Sequence, residues 1–154
     1  SGGVGSAVLQ IARQRGITVI ATASERNGDY LRSLGAIPTT YGPGLIERVR
    51  ALAPNGTNAA LDLAGSGVIL ELIALTGNPS KVLSIADFTA PEHGAQVSGA
   101  TINAVGAFAE AARLFTEGVF RIPVERTFPL AAAAEAQAAS AAGHVVGRFV
   151  VTIA

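Results

Sequence analysis

The glycine-rich start of the sequence carries its clearest chemical signal. Gly2, Gly3 and Gly5 directly precede and open a stretch with helical periodicity. The N-terminus of a helix presents free N–H groups and a positive dipole end, which attract anions. Glycine also lets the backbone approach a diphosphate closely. We therefore predict that Gly2, Gly3, Val4 and Gly5 bind the diphosphate of a dinucleotide, and the alternative is that the glycines only mark a turn.

The residues after the next predicted strand discriminate between two dinucleotides. An acidic residue there binds the ribose 2′-hydroxyl of NAD, whereas a small polar residue with an arginine suits the 2′-phosphate of NADP. Ser24 stands at the predicted strand end, and Arg26 can pair with a phosphate through two hydrogen bonds. This pattern favours NADP. Glu25 would take the acidic role if the strand ran one residue longer, and a plain solvated helix start at Glu25 and Arg26 is the third interpretation.

Five residues at the ends of two later predicted strands complete the candidate cofactor site. They are Ala64, Gly65, Ser84, Ile85 and Ala86. Ligands of open parallel sheets bind at the carboxyl ends of the strands. We therefore expect these residues to line the cofactor crevice.

Few other residues have the types or spacing that catalysis requires. Asp62 is a lone carboxylate in a predicted buried strand, and we interpret it as an acceptor of backbone hydrogen bonds near the strand end, with a functional carboxylate as the alternative. His93 and His144 lack spaced partners and the chain has no cysteine, so we predict no metal site. Neither a hydrolase nucleophile elbow nor a Walker P-loop occurs. We predict no catalytic acid or base in this sequence.

Alternating strands and helices are predicted to position these residues. Apolar residues at a period of 3.6 predict a helix over 4–15, and a continuous β-branched segment predicts a buried strand over 18–23. Further helices are predicted over 26–34, 45–52, 68–75, 107–116 and 130–142, and further strands over 37–40, 59–63, 82–86, 124–128 and 145–153. This alternation is typical of an α/β fold in which right-handed crossovers join the strands of a doubly wound parallel sheet.

Composition excludes several classes of protein. The 154 residues are 49% hydrophobic and 14% charged, which excludes a disordered chain. Eleven Lys and Arg balance eleven Asp and Glu, so no basic footprint for nucleic acid or an anionic membrane is present. No apolar run reaches the roughly 18 residues of a membrane span. Without cysteine there are no disulfides, and we expect a soluble, cytoplasmic protein.

Five segments together resemble a known family. Residues 1–12 (SGGVGSAVLQIA) are similar to the dinucleotide fingerprint of the medium-chain dehydrogenases/reductases, especially their zinc-independent, quinone-reductase-like branch. Segments 33–36, 60–65, 82–86 and 128–151 agree with the same family in the same order. The resemblance spans nearly the whole chain. It implies a Rossmann-type fold and an NADPH-dependent oxidoreductase that transfers hydride to a quinone or an activated alkene or carbonyl.

The resemblance also assigns roles to residues. The fingerprint glycines and Val4 would hold the pyrophosphate, Arg26 would meet the 2′-phosphate, and Tyr41 would lie near the adenosine, unless it is a half-buried packing residue. Ser84, Ile85 and Ala86 would lie near the nicotinamide. NADH is the less favoured cofactor. The alternatives are a piece of a zinc-dependent alcohol dehydrogenase and a nucleotide-binding module without turnover.

Relative to the family, the sequence begins inside the fingerprint. We therefore expect residues 1–125 to form an NADP-binding Rossmann domain that lacks its first strand, and residues 126–154 to be a helix and strand of the catalytic domain. Such a piece would be inactive alone. In the strand order 3-2-1-4-5-6 the missing strand is central. We expect its place to be filled by upstream chain retained after a nick or by the terminal strand 149–153. A homodimer of the full-length protein through an edge strand around 96–103 is also implied.

Overall fold

The chain forms two units in its computed structural model, which describes residues 1–98, 104–143 and 145–153. The first unit contains Ser1–Thr40 and Val105–Ala154, and the second contains Tyr41–Ala104. Helices and parallel strands alternate in both, which confirms the predicted α/β class. None of the helices in the described residues is both long and apolar enough to cross a membrane.

The amino-terminal part of the first unit is a parallel strand pair with its helices. Its elements are α1 (Gly3–Gln14), β1 (Ile20–Ala23), α2 (Gly28–Ser33) and β2 (Ile37–Thr40). The register of β1 and β2 runs from Ile20 opposite Ile37 to Ala23 opposite Thr40. Leu9, Ala23, Leu31 and Ala36 form the buried apolar cluster between these elements. Both strands therefore end at the same edge of the pair.

The remaining elements of the first unit come from the end of the chain. They are α5 (Ala104–Thr116), β6 (Val124–Pro129), α6 (Ala133–Ala141) and β7 (Arg148–Thr152). β7 pairs with β6 in parallel, and the rings of Phe128 and Phe149 meet edge to face with their centroids 5.5 Å apart. The expectation that the terminal strand fills the place of a missing central strand is therefore wrong. The short crossover through α6 returns β7 to β6, where Phe128 supplies its apolar partner.

The second unit holds a three-stranded parallel sheet. Its elements are α3 (Leu45–Leu52), β3 (Ala60–Asp62), α4 (Ile69–Thr76), β4 (Val82–Ser84) and β5 (Gln96–Val97), in the sheet order β3-β4-β5. Its core is the cluster of Ile69, Val82, Ala90 and Ala95. Asp62 lies opposite Ser84, so these two side chains stand at adjacent carboxyl ends.

The pairings β1-β2 and β3-β4-β5 agree with the neighbours expected in the order 3-2-1-4-5-6. The predicted strand 37–40 and helix 45–52 have the observed bounds. The predicted helix 26–34 is instead a 3-10 turn, Glu25–Asn27, followed by α2. Only residues 96–97 of the expected dimer edge form a strand, and residues 99–103 lie outside the described residues.

Candidate functional site

The predicted diphosphate-binding segment opens α1. Gly2 is the residue before the helix, with an extended backbone (φ −70°, ψ 177°), and its carbonyl accepts bonds from the N–H and hydroxyl of Ser6, both at 2.9 Å. Gly2 is exposed, and no heavy atom lies within 4 Å of the position a Cβ would take there. Val4 is 42% exposed and Gly5 is partly buried in the first turn. The start of α1 is therefore open to a ligand at Gly2.

The side chain of Arg148 packs over Gly3. A Cβ on Gly3 would lie 2.7 Å from the Cγ and 3.0 Å from the Cδ of Arg148. Two backbone contacts cause this approach, since the N–H of Gly147 donates to the Ser1 carbonyl at 3.0 Å and Gly147 forms a parallel bridge with Gly2. The terminal strand thus brings a cation to the N-terminus of α1.

Sequence reasoning missed Arg148, because its contact joins opposite ends of the chain. Gly147, the residue before Arg148, is the one sequence feature that could have indicated this contact. Gly147 has φ +84°, and a Cβ there would collide with the Pro123 carbonyl. Only glycine adopts this backbone at little cost, so the Gly-Arg pair marks a place where two backbone segments approach closely.

Ser24 is the first residue after β1. The strand ends at Ala23, and Glu25 is already the first residue of the 3-10 turn, so the strand does not extend to Glu25. The Ser24 hydroxyl oxygen is buried, and it has no hydrogen-bond partner among the described residues. A buried hydroxyl without a partner is costly. It therefore identifies a position where a polar ligand group would be stabilised.

A groove of about 280 Å³ lies beside Ser24, at the carboxyl ends of β1 and β2. Glu25, Asp29 and Arg32 line it together with Ser24 and are its charged groups. Arg32 donates to Asp29 at 2.6 Å, and both side chains are well exposed. Arg26 is an exposed residue of the 3-10 turn and lies outside the lining. Arg32 therefore lines this groove, and Arg26, which the sequence pairs with a 2′-phosphate, does not.

In the second unit, Asp62 orders the loop after β3. Its Oδ1 accepts from the N–H groups of Ala64 and Gly65, at 3.1 and 3.0 Å, and the residue is only 3% exposed. This confirms the interpretation of Asp62 as an acceptor of backbone hydrogen bonds. The sequence did not reveal its second partner, the hydroxyl of Ser84, which donates to Oδ2 at 2.7 Å.

Ser84 orders the loop after β4 in the same way. Its hydroxyl oxygen accepts from the N–H groups of Ala86 and Asp87, at 3.1 and 2.8 Å, and the side chain is fully buried. A hydroxyl has one donor and two acceptor positions. With Asp62 as its acceptor, all three are used, so a ligand has no free position on the Ser84 side chain.

The two loops approach each other at the sheet edge. Gly65 has φ +66°, and a Cβ there would lie 2.9 Å from the Ala86 carbonyl oxygen. Ala64, Gly65 and Ala86 are exposed, and Ile85 is 37% exposed. The structure thus brings these predicted site residues together.

Tyr41 lies at the start of the second unit and is 56% exposed. Its backbone carbonyl accepts a hydrogen bond from the Arg48 guanidinium at 3.5 Å.

The described residues offer no cluster of three or more His, Asp or Glu side chains that could hold a metal ion. His93 is exposed, and His144 lies outside the described residues. Nothing in the described part of the chain therefore fits a zinc site.

Comparison with known proteins now identifies the family. The family model for zinc-binding dehydrogenases matches residues 37–151, well over half of the chain. This chain is a zinc-binding dehydrogenase family member. It belongs with the medium-chain dehydrogenases/reductases that its motifs resemble.

Solved structures agree with this assignment. A quinone oxidoreductase from Coxiella burnetii is 28% identical with a TM-score of 0.80, over 99% of this chain and 50% of its own. An NAD-dependent alcohol dehydrogenase is 26% identical with a TM-score of 0.81, over 99% and 49%. A quinone oxidoreductase from Pseudomonas syringae pv. Tomato DC3000, 22% identical with a TM-score of 0.75 over 99% and 54%, shares the fold. The chain thus spans about half the length of these family members.

Proposed function

We propose that this chain is the NADPH-binding part of an oxidoreductase that reduces a small molecule, either a quinone or an activated alkene or carbonyl. The observation that carries the proposal is the glycine-rich start of α1, which is open at Gly2 and has Arg148 packed over Gly3. The cofactor would supply the hydride, and the protein would supply binding, orientation and exclusion of water. The likeness to a quinone oxidoreductase supports this substrate class, and the nearly equal likeness to an alcohol dehydrogenase supports an alcohol as the alternative.

The diphosphate is assigned to the start of α1. The backbone of Gly2, Gly3, Val4 and Gly5 would face the anion, because the first N–H groups of a helix lack intrahelical acceptors. Arg148 adds a positive charge at the same end. A charge-assisted hydrogen bond contributes about 1.5–3 kcal/mol. The proposal therefore includes Arg148 as a diphosphate-binding residue.

The adenosine ribose and its 2′-phosphate are assigned to the groove after β1. The unpartnered Ser24 hydroxyl would bond to the ribose or the phosphate, with Arg32 of the groove lining and Arg26 of the adjoining 3-10 turn as counter-charges. Asp29 holds Arg32 in an exposed ion pair, and such pairs contribute only about 0–1 kcal/mol. A phosphate would therefore compete with Asp29 for Arg32 and would have to overcome the negative charges of Glu25 and Asp29 in the same lining. Tyr41 is proposed to lie near the adenosine.

The nicotinamide is assigned to the loops after β3 and β4. Ala64, Gly65, Ile85 and Ala86 present exposed backbone and small apolar groups, which suit a planar ring that carries an amide. Ser84 contributes to this nicotinamide site through its hydrogen bonds to the backbone of Ala86 and Asp87.

Three further proposals concern the whole protein. They are a domain division between residues 125 and 126, a cytoplasmic location, and a homodimer through residues 96–103.

The test uses the full chain that carries this sequence. Titration calorimetry should show saturable NADPH binding that is tighter than NADH binding, and NADPH should be oxidised when a quinone is present. Arg148→Gln should weaken NADPH binding about 5- to 30-fold, the equivalent of about 1–2 kcal/mol for an exposed arginine. Arg13→Gln is the matched control, because Arg13 is exposed at the opposite end of α1.

Two results would refute the proposal: absence of NADPH binding by the full chain, or equal weakening by the Arg148 and Arg13 variants. A zinc-dependent alcohol dehydrogenase is the second candidate, favoured by the family's description and by the NAD-dependent relative. Stoichiometric zinc in the purified full chain together with NAD-dependent alcohol oxidation would establish that candidate instead. Binding without turnover of any carbonyl, alkene, quinone or alcohol would indicate a nucleotide-binding module.

A further inference from the structure

The buried Asp62–Ser84 pair connects two loops that the chain separates by about twenty residues. Asp62 holds the backbone after β3, Ser84 holds the backbone after β4, and the 2.7 Å bond between the two side chains joins these arrangements. Both side chains are buried, at 3% and 0% exposure. The hydrogen bond between them is therefore shielded from water. In the low dielectric of the protein interior, such a bond is electrostatically stronger than in water.

The bonds on the two sides of the pair are not independent. Ser84 donates its only hydroxyl proton to Asp62, so its two lone pairs must face the N–H groups of Ala86 and Asp87. The orientation of the Asp62 carboxylate in turn fixes which oxygen is left for Ala64 and Gly65. Removing one side chain therefore disturbs the backbone of both loops.

The backbone of the loops also leaves little room for movement toward each other. Gly65 adopts a left-handed conformation, and the Ala86 carbonyl lies at contact distance from the space that a Cβ would take. The exposed tips, residues 64–65 and 85–86, thus rest on a fixed base. A rigid base of this kind would hold a nicotinamide ring in one position. Rigidity matters because a misplacement of the reacting groups by about 1 Å can lower the rate about a hundredfold.

We infer that Asp62 and Ser84 are positioning residues that hold residues 64–65 and 85–87 in the geometry required for hydride transfer. This inference rests on the proposed function, since it assigns the loop tips to the nicotinamide. Both side chains are buried, so neither would touch the cofactor. Their effect is on where the ring sits and not on how strongly the diphosphate end binds.

The test compares Ser84→Ala with Thr76→Ala in the full chain. Thr76 is a matched control, because it is 8% exposed in the same unit and its hydroxyl donates to the Leu72 carbonyl at 3.0 Å, at the end of α4. Both variants should lower the melting temperature. Only Ser84→Ala should lower kcat, by about tenfold or more, with the KM for NADPH changed less than about threefold.

Asp62→Asn is the second variant. Its carbonyl can still accept from Ala64 and Gly65, but its amide group meets a Ser84 oxygen whose lone pairs are occupied. It should therefore reproduce the kcat loss of Ser84→Ala. The double variant should be no slower than the slower single variant, because both changes break one connection.

Hydrogen exchange gives a readout independent of turnover. In Ser84→Ala, amide exchange should accelerate at residues 64–65 as well as at 86–87. Acceleration at 86–87 alone would overturn the connection between the loops, and equal kcat values for the Ser84 and Thr76 variants would overturn the positioning role. A wild-type chain that does not oxidise NADPH would instead refute the proposed function, and the positioning role with it.

Discussion

Gly65 and Gly67 provide a matched pair for testing the close approach of the two loops. Both have positive φ values, +66° and +74°. A Cβ on Gly65 would lie 2.9 Å from the Ala86 carbonyl oxygen, whereas a Cβ on Gly67 would have no heavy atom within 4 Å. Alanine at either position therefore strains the backbone, and only Gly65→Ala also forces the loops apart.

The magnitudes follow from these two contributions. A left-handed alanine costs about 1–2 kcal/mol at both positions. Overpacking against the backbone of the facing loop adds about 1–3 kcal/mol at Gly65 alone. Both substitutions reduce the entropy of the unfolded chain equally, so this contribution cancels. The free energy of unfolding should thus fall by about 1–3 kcal/mol more in Gly65→Ala than in Gly67→Ala.

Urea denaturation followed by far-ultraviolet circular dichroism measures this difference, with the free energy extrapolated to water. Gly65→Ala should also reduce kcat for NADPH oxidation by the full chain, while Gly67→Ala should not. Equal losses of stability in the two variants would refute the loop contact. They would also remove the geometric basis for the positioning role of Asp62 and Ser84.

Three further predictions concern packing, titration and cofactor choice. Leu31→Ala should reduce the free energy of unfolding by about 2–5 kcal/mol, because Leu31 is 1% exposed in the core of the first unit. Leu70 is 63% exposed, so Leu70→Ala should change the free energy of unfolding little. The hydroxyl and N–H of Thr89 lower the pKa of Asp87, so stability from this carboxyl is present above its ordinary pKa and is lost as the pH falls through the lowered pKa. In Thr89→Val that pKa should rise in a carbon-13 NMR titration, and an unchanged pKa would contradict the assignment. Arg26→Gln should weaken NADPH binding in calorimetry but not NADH binding, and equal weakening of both would remove Arg26 from the 2′-phosphate site.

Local sequence patterns predicted the elements best where they have clear ends. The strand 37–40 and the helix 45–52 have the observed bounds, since glycine and proline mark the limits of that helix. Periodicity did not predict β5, because two residues are too few to show it, and only the family resemblance implied an edge strand around residues 96–103. The terminal strand was predicted as a strand, but its insertion in place of the missing strand, one of two alternatives, is wrong, because its pairing with β6 depends on the crossover and on Phe128.

In the candidate site too, the sequence predicted local features but not contacts between distant residues. Ser24 at the strand end and the hydrogen-bonding role of Asp62 followed from strand ends and burial, which are local properties. Arg148 beside Gly3 and Ser84 beside Asp62 are contacts between distant parts of the chain. No spacing rule in a single sequence reveals such contacts. The structure therefore added two charged groups, Arg148 and Arg32, and one buried connection to the predicted residues.

The most direct test of the central claim is a titration of the nitrogen-15-labelled chain with NADPH, followed by amide chemical shifts. Diphosphate binding at the start of α1 predicts saturable shifts of the Gly2, Gly3 and Val4 amides, while Gly16, beyond the other end of α1, stays unchanged. Saturable shifts that leave Gly2, Gly3 and Val4 unchanged, or no shifts at all, would contradict the claim.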